Sequence, residues 1–429
     1  MLLLNFFLNK LIKTGRLTCI FANGTSYAYG DKDSELRATI RLHTRWLPWR
    51  LFLLPELALG EAYLDGTLTL EEGTLYDFIN LVTGNIGWKP DNRLNANNAK
   101  LKRLKNYYGQ LNSRARSKKL VAHHYDIKAN VYESFLDEDL QYTCAYYTED
   151  NTEKDLERAQ RDKTRLITQK LLAKPEHRIL DIGCGWGGPA VLMHQLTGAH
   201  VTGVTLSQEQ LVAATSRAER EGATDGVDFR LQDYRDIPDK FDRITVVGMM
   251  EHVGLPQYKP FFQKIYDTLE EDGIAVVHTI GRADGPGITD AWTKKYIFPN
   301  SYAPSLSEIV KAVEQTGFYI CDIEVLRTHY AETIAEWRRR FDRQKEWIVR
   351  DYDESFFRMF EYYLVISEFA FRNIGHVIFQ IQLAKKEDAV PVTRSYLKAD
   401  LPSVSHADDQ RKTVADAETH ANTFLRAEA

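Results

Sequence analysis

The sequence predicts an α/β protein: a doubly wound, mostly parallel sheet of seven strands, with a small mixed domain at its amino-terminal end. Three observations carry this expectation. From Arg178 onward, short apolar runs alternate regularly with helical patterns, as in strands joined by crossover helices. The apolar run Arg178-Ile-Leu-Asp-Ile opens into a turn with four glycines in six positions: Gly183, Gly185, Gly187 and Gly188. The chain of 429 residues is also long for a single core, so two domains are the starting expectation.

Taken in order, the first thirteen residues read as an amphipathic helix. Leu4, Phe7, Leu8, Leu11 and Ile12 share one face, and Asn5, Asn9 and Lys13 lie opposite. The lysines come after the apolar residues and no small-residue cleavage site follows, which argues against a secretory signal. The run is too short and interrupted to span a bilayer. The helix either docks on its own domain or lies on a membrane surface. From Leu17 to about Thr44 the pattern is that of short strands, with Asn23-Gly24 marking a hairpin and Ala38 to Leu42 a third strand. Leu51 to Thr83 reads as helical pieces punctuated by Gly60, Gly66 and Gly73.

Between Lys100 and Lys119 stand eight basic residues and no acidic one: Lys100, Lys102, Arg103, Lys105, Arg114, Arg116, Lys118 and Lys119. On a chain of net charge −5 this one-sided run is a solvated linker or a site for anionic lipid head groups. No groove-reading motif accompanies it, so nucleic acid is not expected. Beyond it, His200–Leu206, Val227–Gln232, Phe241–Gly248 and Gly273–Ile280 read as strands, as do Tyr319–Leu326 and Val377–Leu383. Helices are expected after Pro189, after Ser207 with Gln210 in the capping-box position, from Pro256 to about Glu271, and from Ser307 to Gln315. Two long amphipathic segments cover Glu332–Arg350 and Glu354–Asn373, and the chain beyond Lys385 reads as a disordered tail. The domain plan is therefore 1–98, a basic linker helix over 99–120, the sheet domain over 121–385, and a tail over 386–429.

Composition adds bounds. An apolar content of 44% and a charged content of 27% are those of an ordinary globular protein. Cys19, Cys144, Cys184 and Cys321 have no metal-ligand spacing, so no metal is expected, and free thiols in a reducing cytoplasm are the simplest account.

A glycine turn after a strand lets the main chain approach a ligand closely, and ligands gather at the carboxyl ends of strands in such sheets. Gly183-x-Gly185-x-x-Gly188 fits a dinucleotide fingerprint, and it also fits a plain tight turn. Asp181 at the strand end, followed by Cys-Gly-Trp-Gly-Gly, resembles instead the nucleotide loop of S-adenosylmethionine-dependent methyltransferases. At the ends of the next strands stand Gly248-Met-Met-Glu251-His252-Val-Gly254 and His278-Thr-Ile-Gly281, a carboxylate and histidines that could share one pocket.

A series of motifs is more specific. His-Tyr-Asp, Tyr-Thr-Cys-Ala-Tyr, Leu-Asp-Ile-Gly-Cys-Gly-Trp-Gly-Gly, Gln-Asp-Tyr-Arg-Asp, Glu-His-Val-Gly, His-Thr-Ile-Gly and Lys-Tyr-Ile-Phe-Pro-Asn occur in this order between His124 and Asn300. The series resembles the cyclopropane-fatty-acyl-phospholipid synthase family and its mycolic-acid relatives, over about residues 120–385. Gly60-Glu-Ala-Tyr-Leu-Asp-Gly66 resembles the family's smaller amino-terminal, lipid-binding domain. The resemblance implies a class I methyltransferase, Rossmann-like fold. It also implies methyl transfer from S-adenosylmethionine to a cis double bond of a phospholipid acyl chain, with ring closure after proton loss to a bound bicarbonate ion.

The positions that match the family's bicarbonate site are Cys144, Glu251, His278, the backbone at Ile280, and Tyr330. Glu251 would orient the ion by accepting its O–H, while His278 and Tyr330 donate. For the cofactor the matching positions are Tyr142, Thr143, Asp181, Gly183, Gly185, Thr205, Leu206, Gln210 and Gln232. Thr205 stands where many methyltransferases carry an acidic residue for the ribose, which makes Gln210 the ribose candidate. The implied setting is cytoplasmic, peripheral on the inner membrane surface, with a phospholipid bilayer as partner and a homodimer left open. Rival readings are methylation of another lipid, leaving a methyl branch or a methylated amine, and an inactive lipid-binding module.

Overall fold

The computed structural model describes residues 2–88, 129–398 and 401. The basic run from Lys100 to Lys119, the His123-His124-Tyr125-Asp126 motif and the tail from residue 402 lie outside the described residues.

The chain opens with α1 (Leu2–Leu11), whose Leu4 and Leu8 are buried together with Ile12 while Leu2 and Phe6 face outward. The expected hairpin is present: β1 (Arg16–Ile20) pairs antiparallel with β2 (Ser26–Gly30), and Gly24 takes the left-handed backbone of the turn. The third strand, β3 (Arg37–Leu42), runs parallel to β1. Next come α2 (Leu47–Leu53), α3 (Pro55–Leu64), β4 (Leu68–Glu72) and α4 (Leu75–Ile86). The strands form a four-stranded sheet in the order β2-β1-β3-β4.

Two expectations fail in this region. Residues 68–72 were expected to be helical and instead pair antiparallel with β3. Gly60 does not punctuate a helix but sits inside α3, for a packing reason: a Cβ there would lie 2.3 Å from Cδ1 of Trp292.

After α5 (Ala129–Glu133) and α6 (Leu156–Leu171) the doubly wound sheet begins. It is built from β5 (Arg178–Ile182), α7 (Gly188–Thr197), β6 (His200–Thr205), α8 (Gln208–Arg220), β7 (Val227–Leu231) and β8 (Phe241–Val247). It continues through α9 (Tyr258–Thr268), β9 (Leu269–Arg282), α10 (Ala291–Tyr296), α11 (Leu306–Val313) and β10 (Tyr319–Leu326). Then follow α12 (His329–Arg343), α13 (Lys345–Asp351), α14 (Glu354–Arg372) and β11 (His376–Ala384). The seven strands lie in the order β10-β11-β9-β8-β5-β6-β7. Only β11 runs against its neighbours, pairing antiparallel with both β9 and β10. Chain order reverses at β5, which lies between β6 and β8, and this switch point is where such sheets bind ligands.

Local details correct three further expectations. The cap of α11 is Ser305, whose backbone N–H donates to the Glu308 carboxylate at 2.9 Å; Ser307 lies inside the helix. The segment Glu332–Arg350 is broken at Gln344 into α12 and α13. The chain does not become a free tail at Lys385: Val390 is buried, Tyr396 donates to the Gln382 side chain at 3.1 Å, and Arg394 pairs with Asp322.

The small sheet and the large one share a continuous apolar core. It runs from α1 and the four-stranded sheet through Phe135 and Tyr142 to Trp337, Phe341 and Phe360 on α12 and α14. At the joint, Tyr63 donates to the Glu361 carboxylate at 2.6 Å, and Trp292 packs edge-on to Tyr362 with ring centroids 4.7 Å apart. Gly60 is what lets α3 come this close. Helix propensity alone would make Gly60→Ala stabilising by up to about 1 kcal/mol. The clash with Trp292 and Tyr362 reverses the sign, and a net loss of about 1–3 kcal/mol is expected in urea unfolding. A variant at least as stable as the parent would show that the indole yields.

Candidate functional site

A cavity of about 1750 Å³ opens at the carboxyl ends of the central strands and continues into the interior of the small sheet's unit. Leu8, Leu17, Ile40, Leu42, Phe78 and Ile79 line its apolar branch. Its polar end lies at the glycine turn. All fourteen residues singled out in the sequence border this one cavity, including Tyr330 from distant α12.

The turn after β5 is built by local need. Gly183 and Gly185 have φ of 83° and 55°, which side chains rarely adopt. A Cβ on Gly187 would meet Ala214 and Phe229 at 2.8 Å, so that glycine serves packing. A Cβ on Gly185 meets no protein atom within 4 Å and would project into open space, so this glycine leaves room for a ligand. Asp181, at the strand end, is raised to about 7 by burial, against the pull of the Lys163 ammonium.

At the end of β6, Thr205 and Gln210 form a unit. The Thr205 hydroxyl donates to the Gln210 side-chain oxygen at 2.7 Å and accepts from the Ser207 N–H at 3.1 Å. Ser207 caps α8 as expected, accepting from the Gln210 N–H at 3.2 Å. The Gln210 side chain, however, turns to Thr205 and does not complete a capping box. Gln232 follows on the next strand end, its N–H bonded to the Thr205 carbonyl at 3.0 Å, and Leu206 closes this side of the cavity.

Sequence reading missed Lys163. This lysine is fully buried on α6 and donates to the Thr143 hydroxyl at 2.8 Å. Burial lowers it to about 8, while Asp137, Cys144, Asp139 and Asp181 work against that. The signal was available: Lys163 and Lys170 fall on the same helical face as Leu156, Ala159, Leu166 and Ile167, the face α6 buries. Gln141 was also missed; both its side-chain polar atoms are buried without a hydrogen-bond partner at the cavity wall.

The second group of residues gathers at the ends of β8 and β9. Glu251 lies in a short 3-10 turn after β8 and accepts from the Ile280 N–H at 2.6 Å. That backbone donor is thus engaged by Glu251, a pairing the sequence did not reveal. Burial raises the Glu251 carboxyl to about 7, and its other oxygen, Oε2, has no partner. His278 on β9 is held far below its ordinary pKa by burial, with the Lys163 and Lys170 charges adding, so its ring is neutral. The ring's Nδ1 faces the Gln380 amide at 3.1 Å, and its Nε2 has no partner.

Aromatic rings enclose this end. Tyr142 stacks tilted against Trp337 at 5.1 Å and donates to the Tyr363 hydroxyl at 2.6 Å. Tyr330 packs against Trp337 and Phe371 at 5.7 and 4.8 Å. Burial first, then Tyr363, Cys144 and Glu251, push the Tyr330 hydroxyl well above its ordinary pKa, so it stays a proton donor. The Cys144 thiol is likewise raised by burial and is not a nucleophile. Chemically, the arrangement is an aromatic-walled chamber bordered by the unpaired Glu251 carboxyl oxygen and the unpaired His278 ring nitrogen. It suits holding a small polar group and receiving a proton beside an apolar substrate.

The profile of the mycolic acid cyclopropane synthetase family matches residues 112–381. The chain is 36% identical over 329 residues to the cyclopropane-fatty-acyl-phospholipid synthase of Escherichia coli (strain K12), covering 77% of this chain and 83% of that one. It is 36% identical over 262 residues to a probable fatty acid methyltransferase of Pseudomonas putida, covering 59% of this chain and 66% of that one. Among solved structures, the mycolic acid cyclopropane synthase CmaA1 complexed with SAH and CTAB superposes with a TM-score of 0.59 at 25% identity, over 64% of this chain and 99% of that one.

The buried carboxyl makes stability depend on pH in a defined direction. A glutamate ionises near 4.3 in an unfolded chain, whereas Glu251 stays protonated to about 7 in the fold. Its contribution is therefore complete below the unfolded value and lost as pH rises through 7. Glu251→Gln cannot ionise, so its stability relative to the parent should rise across that window by on the order of 3 kcal/mol. Asp181 affects both proteins alike and cancels. Urea unfolding of the two proteins at about pH 5 and about pH 8 measures the difference; a gap that does not change with pH contradicts the burial argument.

Proposed function

The chain belongs to the mycolic acid cyclopropane synthetase family, and from that premise we propose that it closes cyclopropane rings on the cis double bonds of unsaturated phospholipid acyl chains. It is an S-adenosylmethionine-dependent methyltransferase. The observation that carries the finer reading is the pair of orphaned atoms, Glu251 Oε2 and His278 Nε2, inside an aromatic chamber. A neutral amine attacks through its lone pair and the ammonium formed can give its proton to solvent, so methylating an amine needs no such receptor inside an apolar chamber.

The residues present fit the cofactor. The open space beside Gly185, the unpartnered Gln141 amide and the buried Lys163 and Asp181 offer complementary groups for a zwitterionic amino-acid end. Gln210 and Gln232 stand where a ribose and an adenine would be held. When bound, S-adenosylmethionine supplies an electrophilic methyl group. Tyr142 and Thr143 would also hold it, and Tyr142, Tyr330 and Tyr363 at the cavity wall would exclude water from the alkene.

An alkene needs no base before it is methylated, but the resulting acyl carbocation must lose a proton from the new methyl group to form the ring. The aromatic rings of Tyr142 and Tyr330 at the cavity wall would favour a cation there. The residues also fit a bicarbonate ion, which would supply the base: Glu251 Oε2, once its carboxyl is ionised above about pH 7, would accept the ion's O–H, while His278 Nε2 and the Tyr330 hydroxyl would donate to it. The Cys144 side chain completes the pocket wall. The Ile280 N–H, expected among the donors, instead sets the Glu251 carboxylate in place.

The acyl chain would lie in the apolar branch beneath the four-stranded sheet, which makes residues 1–98 the lipid-binding part. Trp46, Trp49, Leu53, Leu54 and Trp88 are exposed, and the last three line the cavity at its outer end. Together with the eight basic residues between Lys100 and Lys119, they suit the surface of an anionic bilayer at the cytoplasmic face of the membrane. Among the described residues no helix is long and apolar enough to cross a membrane.

Mass spectrometry of lipids from cells expressing the protein tests the reaction. A gain of one CH₂ with loss of the double bond is expected; the same gain with the double bond retained overturns ring closure. Glu251→Gln should lower turnover by about 10²-fold, and removal of bicarbonate should slow the parent. Indifference to both rejects the bound-ion base.

Membrane binding is tested by vesicle co-sedimentation. Reversing Arg114, Arg116, Lys118 and Lys119 to Glu should weaken binding to anionic vesicles at low salt, and Trp46→Ser with Trp49→Ser should weaken what survives high salt. Binding unchanged in both variants removes the bilayer from the reading.

A further inference from the structure

His278 has a neighbour that the reaction chemistry does not mention. The register of the large sheet places Gln380 of β11 directly opposite His278 of β9, and Glu324 of β10 directly opposite Gln380. Glu324, Gln380 and His278 thus form one row across three strands. Lys170, from the buried face of α6, lies over this row. Its ammonium pairs with Glu324 and donates to Gln380 Oε1 at 2.7 Å, and Gln380 Nε2 lies 3.1 Å from His278 Nδ1. Lys170 and Gln380 are both fully buried.

The proton positions in this row follow from what each group can do. An ammonium has only donors, so the amide must turn its oxygen toward Lys170. Its nitrogen then faces His278, and an amide nitrogen only donates, so Nδ1 must present its lone pair. A neutral imidazole with an unprotonated Nδ1 carries its proton on Nε2. That nitrogen is the one left without a partner at the cavity wall. We propose that Gln380, oriented by Lys170, is a positioning residue that holds His278 in the Nε2–H tautomer and so makes it a hydrogen-bond donor into the chamber.

The inference rests on the reading of His278 as a donor to a small anion, and its test separates the two. In Gln380→Glu the new carboxylate can only accept, so the proton is drawn to Nδ1, while the ion pair with Lys170 survives and supports the fold. Histidine-labelled protein shows the tautomer directly by ¹⁵N NMR, with His278 identified among the twelve histidines by its loss in His278→Asn. The parent should show Nε2 protonated and Nδ1 bare, and Gln380→Glu should show Nδ1 protonated. With vesicles of unsaturated phospholipid, kcat of Gln380→Glu should fall by about 10²-fold while KM for S-adenosylmethionine holds.

Nδ1 protonated in the parent overturns the inference, as does a Gln380→Glu protein with parental tautomer and kcat. The parent spectrum decides alone if that variant does not fold. A parent that shows the Nε2–H tautomer yet leaves the lipid double bond intact keeps the relay and rejects ring closure.

Discussion

The constraint behind this structure is that a chamber with largely apolar and aromatic walls must still contain charge. Each buried ion costs several kcal/mol unless its neighbours meet it, and the fold answers with braces. Lys163 sits among Asp137, Asp139 and Asp181. Arg217 holds Asp139 at 2.5 Å and Glu221 at 3.3 Å. Lys170 is shared between Glu324 and Gln380. Among the buried polar atoms without a partner, Glu251 Oε2 and His278 Nε2 belong to residues that border the cavity, as do both polar atoms of the Gln141 side chain.

The second sheet belongs to the same argument. A doubly wound sheet alone binds a ligand at its strand ends in an open crevice. Here α3 and α4 close over α14, and the apolar interior of the small unit becomes the far branch of the cavity. Gly60 against Trp292, and the Tyr63–Glu361 and Tyr76–Glu368 hydrogen bonds, fasten the two parts. The glycine-turn end and the apolar branch are therefore parts of one cavity, built by residues far apart in the chain.

Much of this could be read in the sequence, for reasons of periodicity. Strand–helix alternation from Arg178, the Asn23-Gly24 turn and the glycine loop are local patterns, and each appeared where expected. Residues 68–72 were lost because Leu-Thr-Leu-Glu-Glu is too short to separate a strand from a helical turn. The bond between Ile280 and Glu251 and the row through Gln380 depend on cross-strand register, which no local pattern encodes. Tyr330 came from a motif resemblance and not from spacing, since nothing in His329-Tyr330-Ala331 marks a wall of a cavity. Lys163 lay within reach of a helical-face reading that gave weight to buried charge.

The antiparallel seat of β11 has a consequence in time. Synthesis finishes β9 about a hundred residues before it reaches His376. At roughly 5–20 residues per second the ribosome needs several seconds for that interval. Throughout it, His278 is present but Gln380 is not, and β9 is an exposed sheet edge on that side. The nascent chain thus has its glycine loop long before it has a set imidazole. The last strand to be made is the one that carries the partner of His278 Nδ1.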